Sequence, residues 1–252
     1  MNRQYGMTPI TMPCQKIHIL IYTKNGHGFV HTNIAVCVKS IEGICASNRW
    51  TCEISDDPKL FTAEKIDTFD CLVFANTNNE IFENDDQRTV FQTYMRNGGG
   101  FVGIHSTCCS ERRWPWFWAN LGGKFFRHPK LQPFDIQVID DRHLSTQHLP
   151  AVWTWEDEFY LLNSLNPDIH VLLAGDVSTL KNNAINESQD VMLGGYFPLA
   201  WCHEFEGGYQ WVTALGHKAE HYQDLDLVKH IEGGIRWAVR SDGSGLKTED
   251  RG

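Results

Sequence analysis

Residues 71–75, CLVFA, and residues 101–104, FVGI, are short, continuously apolar runs separated by one helix-length segment. That segment, Asp85–Asn97, carries Val90, Phe91 and Tyr94 on one stripe and is stopped by Gly98-Gly99-Gly100. A strand apolar on both faces belongs inside a sheet covered by helices, which is the habit of parallel α/β sheets. The same unit repeats toward the N-terminus. Lys16–Thr23 (KIHILIYT) reads as a buried strand ended by Asn25-Gly26, and Thr32–Cys45 as a helix with Thr32 or Asn33 as N-cap. Trp50–Ser55 follows as a second strand, and Asp57-Pro58 opens a short helix with proline in its first turn. Alternation at this pitch predicts a doubly wound, three-layer α/β domain with a mainly parallel central sheet.

Beyond residue 124 the pattern loosens. Phe134–Ile139 and His170–Leu173 read as strands, Asp176–Asp190 as a polar loop, and Pro198–Glu204 with Tyr209–Leu215 as a hairpin around Gly207-Gly208. Leu225–Val239 reads as a closing helix. Residues 16–240 are expected to form one domain with an irregular insertion between about residues 124 and 196. Residues 1–15 and 241–252 read as flexible termini.

Composition narrows the function. Across 252 residues, Lys+Arg 22 against Asp+Glu 31 gives a net charge of −9, which argues against nucleic acid, whose phosphates demand a basic face. No signal-like or membrane-spanning apolar run is present, and none of the eight cysteines forms a CxxC pair, so a reducing cytoplasm is expected. Asn186-Glu187-Ser188 is a glycosylation sequon without meaning in that setting. The dense aromatic segment Trp114–Trp118 reads as core and cleft wall, with sugar stacking as the functional alternative.

Ligands of doubly wound sheets bind at the carboxyl ends of the strands, and this ranks the twelve histidines. His27 and His31 follow the first strand, His105 the fourth, and His217 the last. His18, His143, His148, His170 and His230 fall elsewhere and need only structural explanations. Imidazoles gathered at one edge admit three readings: proton transfer near neutral pH, a zinc or other divalent metal site formed by His31, His105 and His217, or hydrogen bonding to loop backbone. No H-E-x-x-H spacing is present, so a metal would depend on tertiary convergence.

GGGFVGIHS (98–106), FRHP (126–129), PLAWCHEFEGG (198–208), ALGHKAEHY (214–222) and GGIRWA (233–238) resemble the ThuA-like family, named for trehalose utilisation, over about residues 16–239. The resemblance implies the flavodoxin-like fold of class I glutamine amidotransferases and a role in sugar catabolism. It implies action on a disaccharide or glycoside at the 3-keto level, beside an NAD-dependent sugar dehydrogenase partner, and leaves homo-oligomerisation open. Against the amidotransferase pattern, Gly103-Ile104-His105 places His105 where the nucleophilic cysteine stands, with His217 and Glu220 near the late His–Glu pair. Imidazole cannot form the thioester of glutamine hydrolysis, so no glutaminase activity is expected. His105, His217 and Glu220, with Glu220 orienting His217, are the expected catalytic groups. His128, Glu158 and Tyr160 of the D-E-x-Y stretch, His203 and Trp114 are the expected sugar-binding groups. The alternative is a non-catalytic sugar-binding or scaffolding subunit of the dehydrogenase system.

Overall fold

The computed structural model describes residues 16–181 and 194–240; the two terminal segments, the sequon and most of the loop expected at 176–190 lie outside them. Strand β1 (His18–Tyr22) is joined by helix α1 (Ile34–Asn48) to β2 (Thr51–Ser55). A 3₁₀ turn at Pro58–Leu60 and the short α2 (Ala63–Ile66) lead to β3 (Cys71–Ala75), α3 (Asp85–Arg96) and β4 (Gly100–Ile104). Asn84 caps α3 by accepting from Gln87 N, and Gly98, at φ +86°, ends it.

Helix α4 (Pro115–Leu121), the strands β5 (Lys124–Arg127), β6 (Gln132–Val138), β7 (Val152–Asp157), β8 (Leu161–Asn163) and β9 (His170–Asp176), the hairpin β10 (Tyr196–Phe205)–β11 (Gly208–Thr213) and helix α5 (Leu225–Ala238) complete the chain. The main sheet runs β2-β1-β3-β4-β11-β10-β9-β6-β7. Its first five strands are parallel and the rest add antiparallel. The segment expected to be irregular thus carries five strands, β5 to β9. Its signal is a period of two: along β7, Trp153, Trp155 and Asp157 are buried while their neighbours are exposed. A reading built on continuous apolar runs passes over a strand with one wet face.

Two helical layers sandwich the parallel half. On one face Phe91 of α3 and Phe117 of α4 pack on Phe74 and Phe101. On the other, α5 presses Gly234 onto Trp211, so closely that a Cβ would fall 2.3 Å from the ring. The register aligns Ala75 with Ile104 and Ile104 with Thr213. The carboxyl ends of β3, β4 and β11 therefore finish level, and the loops that follow them emerge side by side. No helix among the described residues is long and apolar enough to cross a membrane.

Candidate functional site

The loops after β1, β4 and β11 deliver His31, His105 and His217 to one point, and the chain leaving β7 returns across the carboxyl ends to add Glu158 and Tyr160. His105 is fully buried at the turn from β4 into a 3₁₀ segment, with φ +48°. A left-handed conformation at a non-glycine residue costs on the order of 1–3 kcal/mol and aims the side chain above the sheet, as a nucleophile elbow does. Here the elbow presents an imidazole.

Its tautomer follows from its partners. Nδ1 lies 2.8 Å from the Ala214 carbonyl, which only accepts, so Nδ1 carries the proton and donates. Nε2 is left with a lone pair that faces His31 Nε2 at 3.2 Å and the Tyr160 hydroxyl at 3.1 Å. Glu158 Oε2 lies 3.6 Å from His105 Nε2 and 3.2 Å from His217 Nδ1. The latter nitrogen is buried and makes no well-formed hydrogen bond, since the carboxylate approaches it off line. Oε1 of the same carboxylate faces His128 Nε2 at 3.5 Å.

Electrostatics divides the imidazoles. Burial lowers the His31 pKa to about 3, aided by the neighbouring His105 and His217. Burial, with smaller help from His217 and His221, drives His105 down to about 3 against the pull of the Ala214 carbonyl and Glu158. Both rings are neutral at pH 7 and offer lone pairs. His217 is raised by its contact with Glu158. Burial pushes Glu158 up, and His217, His105 and His128 together outweigh it and hold the carboxyl below its ordinary value.

One ligand atom from each of His31, His105, Glu158 and His217 lies within 4.8 Å of the others. Tetrahedral coordination with bonds of roughly 2.0–2.1 Å sets ligand atoms about 3.3 Å apart, and the contacts of 3.2, 3.6 and 3.2 Å are close to that edge. Three imidazoles and a carboxylate suit zinc and other borderline divalent ions. The Ala214 carbonyl plays the outer partner that fixes a ligating histidine. A cavity of about 280 Å³ opens onto the cluster, its wall including Phe29, Asn78, Arg112, Phe125 and His128.

Of the expected groups, His31, His105, His217, His128, Glu158 and Tyr160 come together, and three others do not. Glu220 is exposed on the 3₁₀ segment Ala219–Gln223 and acts electrostatically on Lys218 and His221; Glu158 stands where it was expected, beside His217. His203 pairs in register with Gln210, and Gln210 with Phe101, which puts it toward the amino end of the parallel strands, contacting the Asn120 carbonyl at 2.8 Å. Strand alternation there turns the imidazole toward α4 and its neighbour Cys202 to the opposite face, beside His143. Trp114 lines a different cavity, of about 410 Å³, with Arg88, Glu111 and Arg113. Cys108 and Cys109 are buried, and Cys109 reaches the wall of the histidine pocket, closer than its place in the chain suggests. Burial raises its thiol to about 12, so it is no thiolate.

Two residues that build the site were not among the expected site groups: Asp157 belongs to the D-E-x-Y stretch, and Asn33 was expected only as an N-cap. Asp157, fully buried, accepts from Gly216 N, His217 N, Glu158 N and Trp155 Nε1, tying the histidine loop to the carboxylate. A carboxylate on the same face as Trp153 and Trp155 was the available signal. Asn33 stands at the N-cap position of α1 without capping it; its amide donates instead to the carbonyls of Gly216 and His217, at 2.7 Å each.

The profile of the family described as trehalose utilisation matches residues 18–238. A ThuA-like protein from Bacteroides uniformis superposes with a TM-score of 0.74 at 26% identity, covering 96% of this chain and 98% of that one. A ThuA-like protein from Parabacteroides merdae gives 0.69 at 17%, covering 90% and 91%. A glutamine amidotransferase from Thermotoga maritima gives 0.54 at 10%, covering 89% and 98%, a likeness of fold alone. Comparison with curated proteins returned no match. The match over nearly the whole chain, with the fold and the histidine-bearing strand ends, makes this chain a member of the ThuA, or trehalose utilisation, family.

Proposed function

We propose that the protein is a sugar-catabolic enzyme that holds a divalent cation, zinc or another ion accepting a fifth ligand, on His31, His105, His217 and Glu158. Its substrate is a disaccharide or glycoside at the 3-keto level. The observation that carries this reading is the approach of four donor atoms within 4.8 Å, two of them on neutral imidazoles, at the mouth of a cavity. Membership of the trehalose utilisation family supports the sugar.

Bound there, the cation supplies Lewis acidity to a carbonyl or hydroxyl oxygen. The chain supplies the rest. His128 Nδ1–H donates to the Pro129 carbonyl, which turns Nε2 toward Glu158 and the cavity, where it can move a proton. Arg112, held on the Cys109 carbonyl, and the Phe29 and Phe125 rings offer polar and apolar walls to a sugar ring. A 3-keto substrate calls for an NAD-dependent dehydrogenase upstream. The cysteines among the described residues are all unpaired, in keeping with a reducing cytoplasm. With His105 at the elbow and Cys109 protonated, the site lacks the nucleophile for glutamine.

The test is incubation of the metal-loaded protein with 3-keto-trehalose and related 3-keto glycosides, products followed by NMR, for wild type and His105→Ala. Turnover lost in the variant is expected. Saturable binding without turnover, even with the dehydrogenase added, would replace the enzyme with a sugar-binding subunit.

A further inference from the structure

We propose that Tyr160 is a catalytic residue whose phenol donates a hydrogen bond to the oxygen atom carried by the bound cation, forming the second half of a clamp for negative charge developing on that oxygen. The inference rests on the cation site described above and assigns the atom that faces its open side. The Tyr160 hydroxyl lies 3.1 Å from His105 Nε2, a ligand atom. The ring is 2% exposed and pinned on three sides, by His105 at 4.7 Å, Phe125 at 4.6 Å and His128 at 5.8 Å between centroids.

In the absence of a cation the Tyr160 phenol and His31 Nε2 both face the single lone pair of His105 Nε2, which the Nδ1–H bond to Ala214 leaves free to accept from them. A cation consumes that lone pair, and a buried hydroxyl deprived of its acceptor must find another. Ligand atoms in one coordination sphere stand about 3 Å apart, so an oxygen bound next to His105 falls within reach of a phenol that was already 3.1 Å from that nitrogen. The cavity lies on the same side, since Tyr160 and Glu158 both line it. A donor preset toward such an oxygen stabilises an alkoxide or enolate without reorganising, and its proton stays on the phenol throughout.

Fluoride is the probe, because it binds cations and accepts hydrogen bonds strongly. The full-length protein is loaded with Co(II), whose visible bands report anion binding, and compared with Tyr160→Phe. Equal cobalt content is expected in the two, with fluoride affinity roughly ten- to hundred-fold weaker in the variant, as for one hydrogen bond to a charged acceptor. Equal fluoride affinity at equal cobalt content would overturn the assignment and leave the cation site standing. Loss of cobalt from the variant would also overturn it, since Tyr160 would then be holding the ion. A wild type that binds no cobalt would end this assignment together with the reading beneath it. Should Tyr160→Phe not fold, the ultraviolet difference spectrum of the wild type decides: fluoride perturbs the tyrosine absorption if the phenol addresses the bound ion, and leaves it unchanged if not.

Discussion

His105 Nε2 and His31 Nε2 stand 3.2 Å apart in a fully buried contact, and the Ala214 carbonyl leaves His105 only a lone pair to present to its neighbour. Two imidazole lone pairs cannot face each other at that distance. A proton on His31 Nε2, sharing that lone pair with the Tyr160 phenol, reconciles them in the empty site, and a cation reconciles them while also engaging His217 and Glu158. A divalent cation should therefore stabilise the fold. At a free concentration of one hundred times Kd the gain is about 2.7 kcal/mol. For a chain of this size that raises Tm by about 5–10 °C. Calorimetry of chelator-treated protein with and without added zinc measures it.

In the metal-free protein, stability should fall with acidification. His31, His105 and His230 each have a folded pKa of about 3, driven down by burial, against an unperturbed value near 6.5. The unfolded chain binds more protons between those values, so stability is fully present above about pH 6.5 and is lost progressively toward pH 3. His230 lies outside the site, with Nδ1 on the Ser145 carbonyl. Urea titrations of wild type and His230→Gln between pH 5 and pH 8 should show a shallower slope in the variant, while an unchanged slope would exclude His230 as a contributor.

Asp157→Asn should loosen the site without touching a ligand. The carboxylate receives three backbone amides and the Trp155 indole, and an asparagine amide would turn a donor toward one of those donors. The expected cost is about 2–4 kcal/mol of stability, with zinc affinity reduced roughly ten- to hundred-fold as for other outer partners of metal ligands. Asp157→Glu, which keeps the charge, should recover less stability than affinity. Competition with a chromophoric chelator reads the affinity.

The parallel half of the fold was legible because its strands are apolar on both faces; CLVFA and FVGI admit few other places. The antiparallel half was only partly legible, since VWTWED alternates and its buried Asp157 breaks the apolar face. Histidines at strand ends identified three quarters of the cluster, as the register brings β4 and β11 level. Glu158 was legible as a site residue and not as the partner of His217, because that pairing depends on the chain returning from edge strand β7 past three strands, β6, β9 and β10, to the end of β11. Glu220, three residues from His217, was nearer in sequence, but the 3₁₀ turn points it to solvent.

Glutamine should not be hydrolysed. Cys109 lines the pocket, but its thiol is held protonated by burial, and His105 occupies the elbow. Ammonia release should match a no-enzyme blank. Glutaminase activity that survives Cys108→Ala and Cys109→Ala would contradict the chemistry argued for this site.

His31, His105, His217 and Glu158 either hold a metal together or they do not. The direct measurement is the metal-to-protein ratio, by elemental analysis, of untagged full-length protein after zinc loading and exhaustive dialysis. The structure predicts about one equivalent in wild type and little in Glu158→Gln combined with His217→Ala, with the variant still folded by circular dichroism. A wild type that retains no zinc, cobalt or manganese would contradict the central claim.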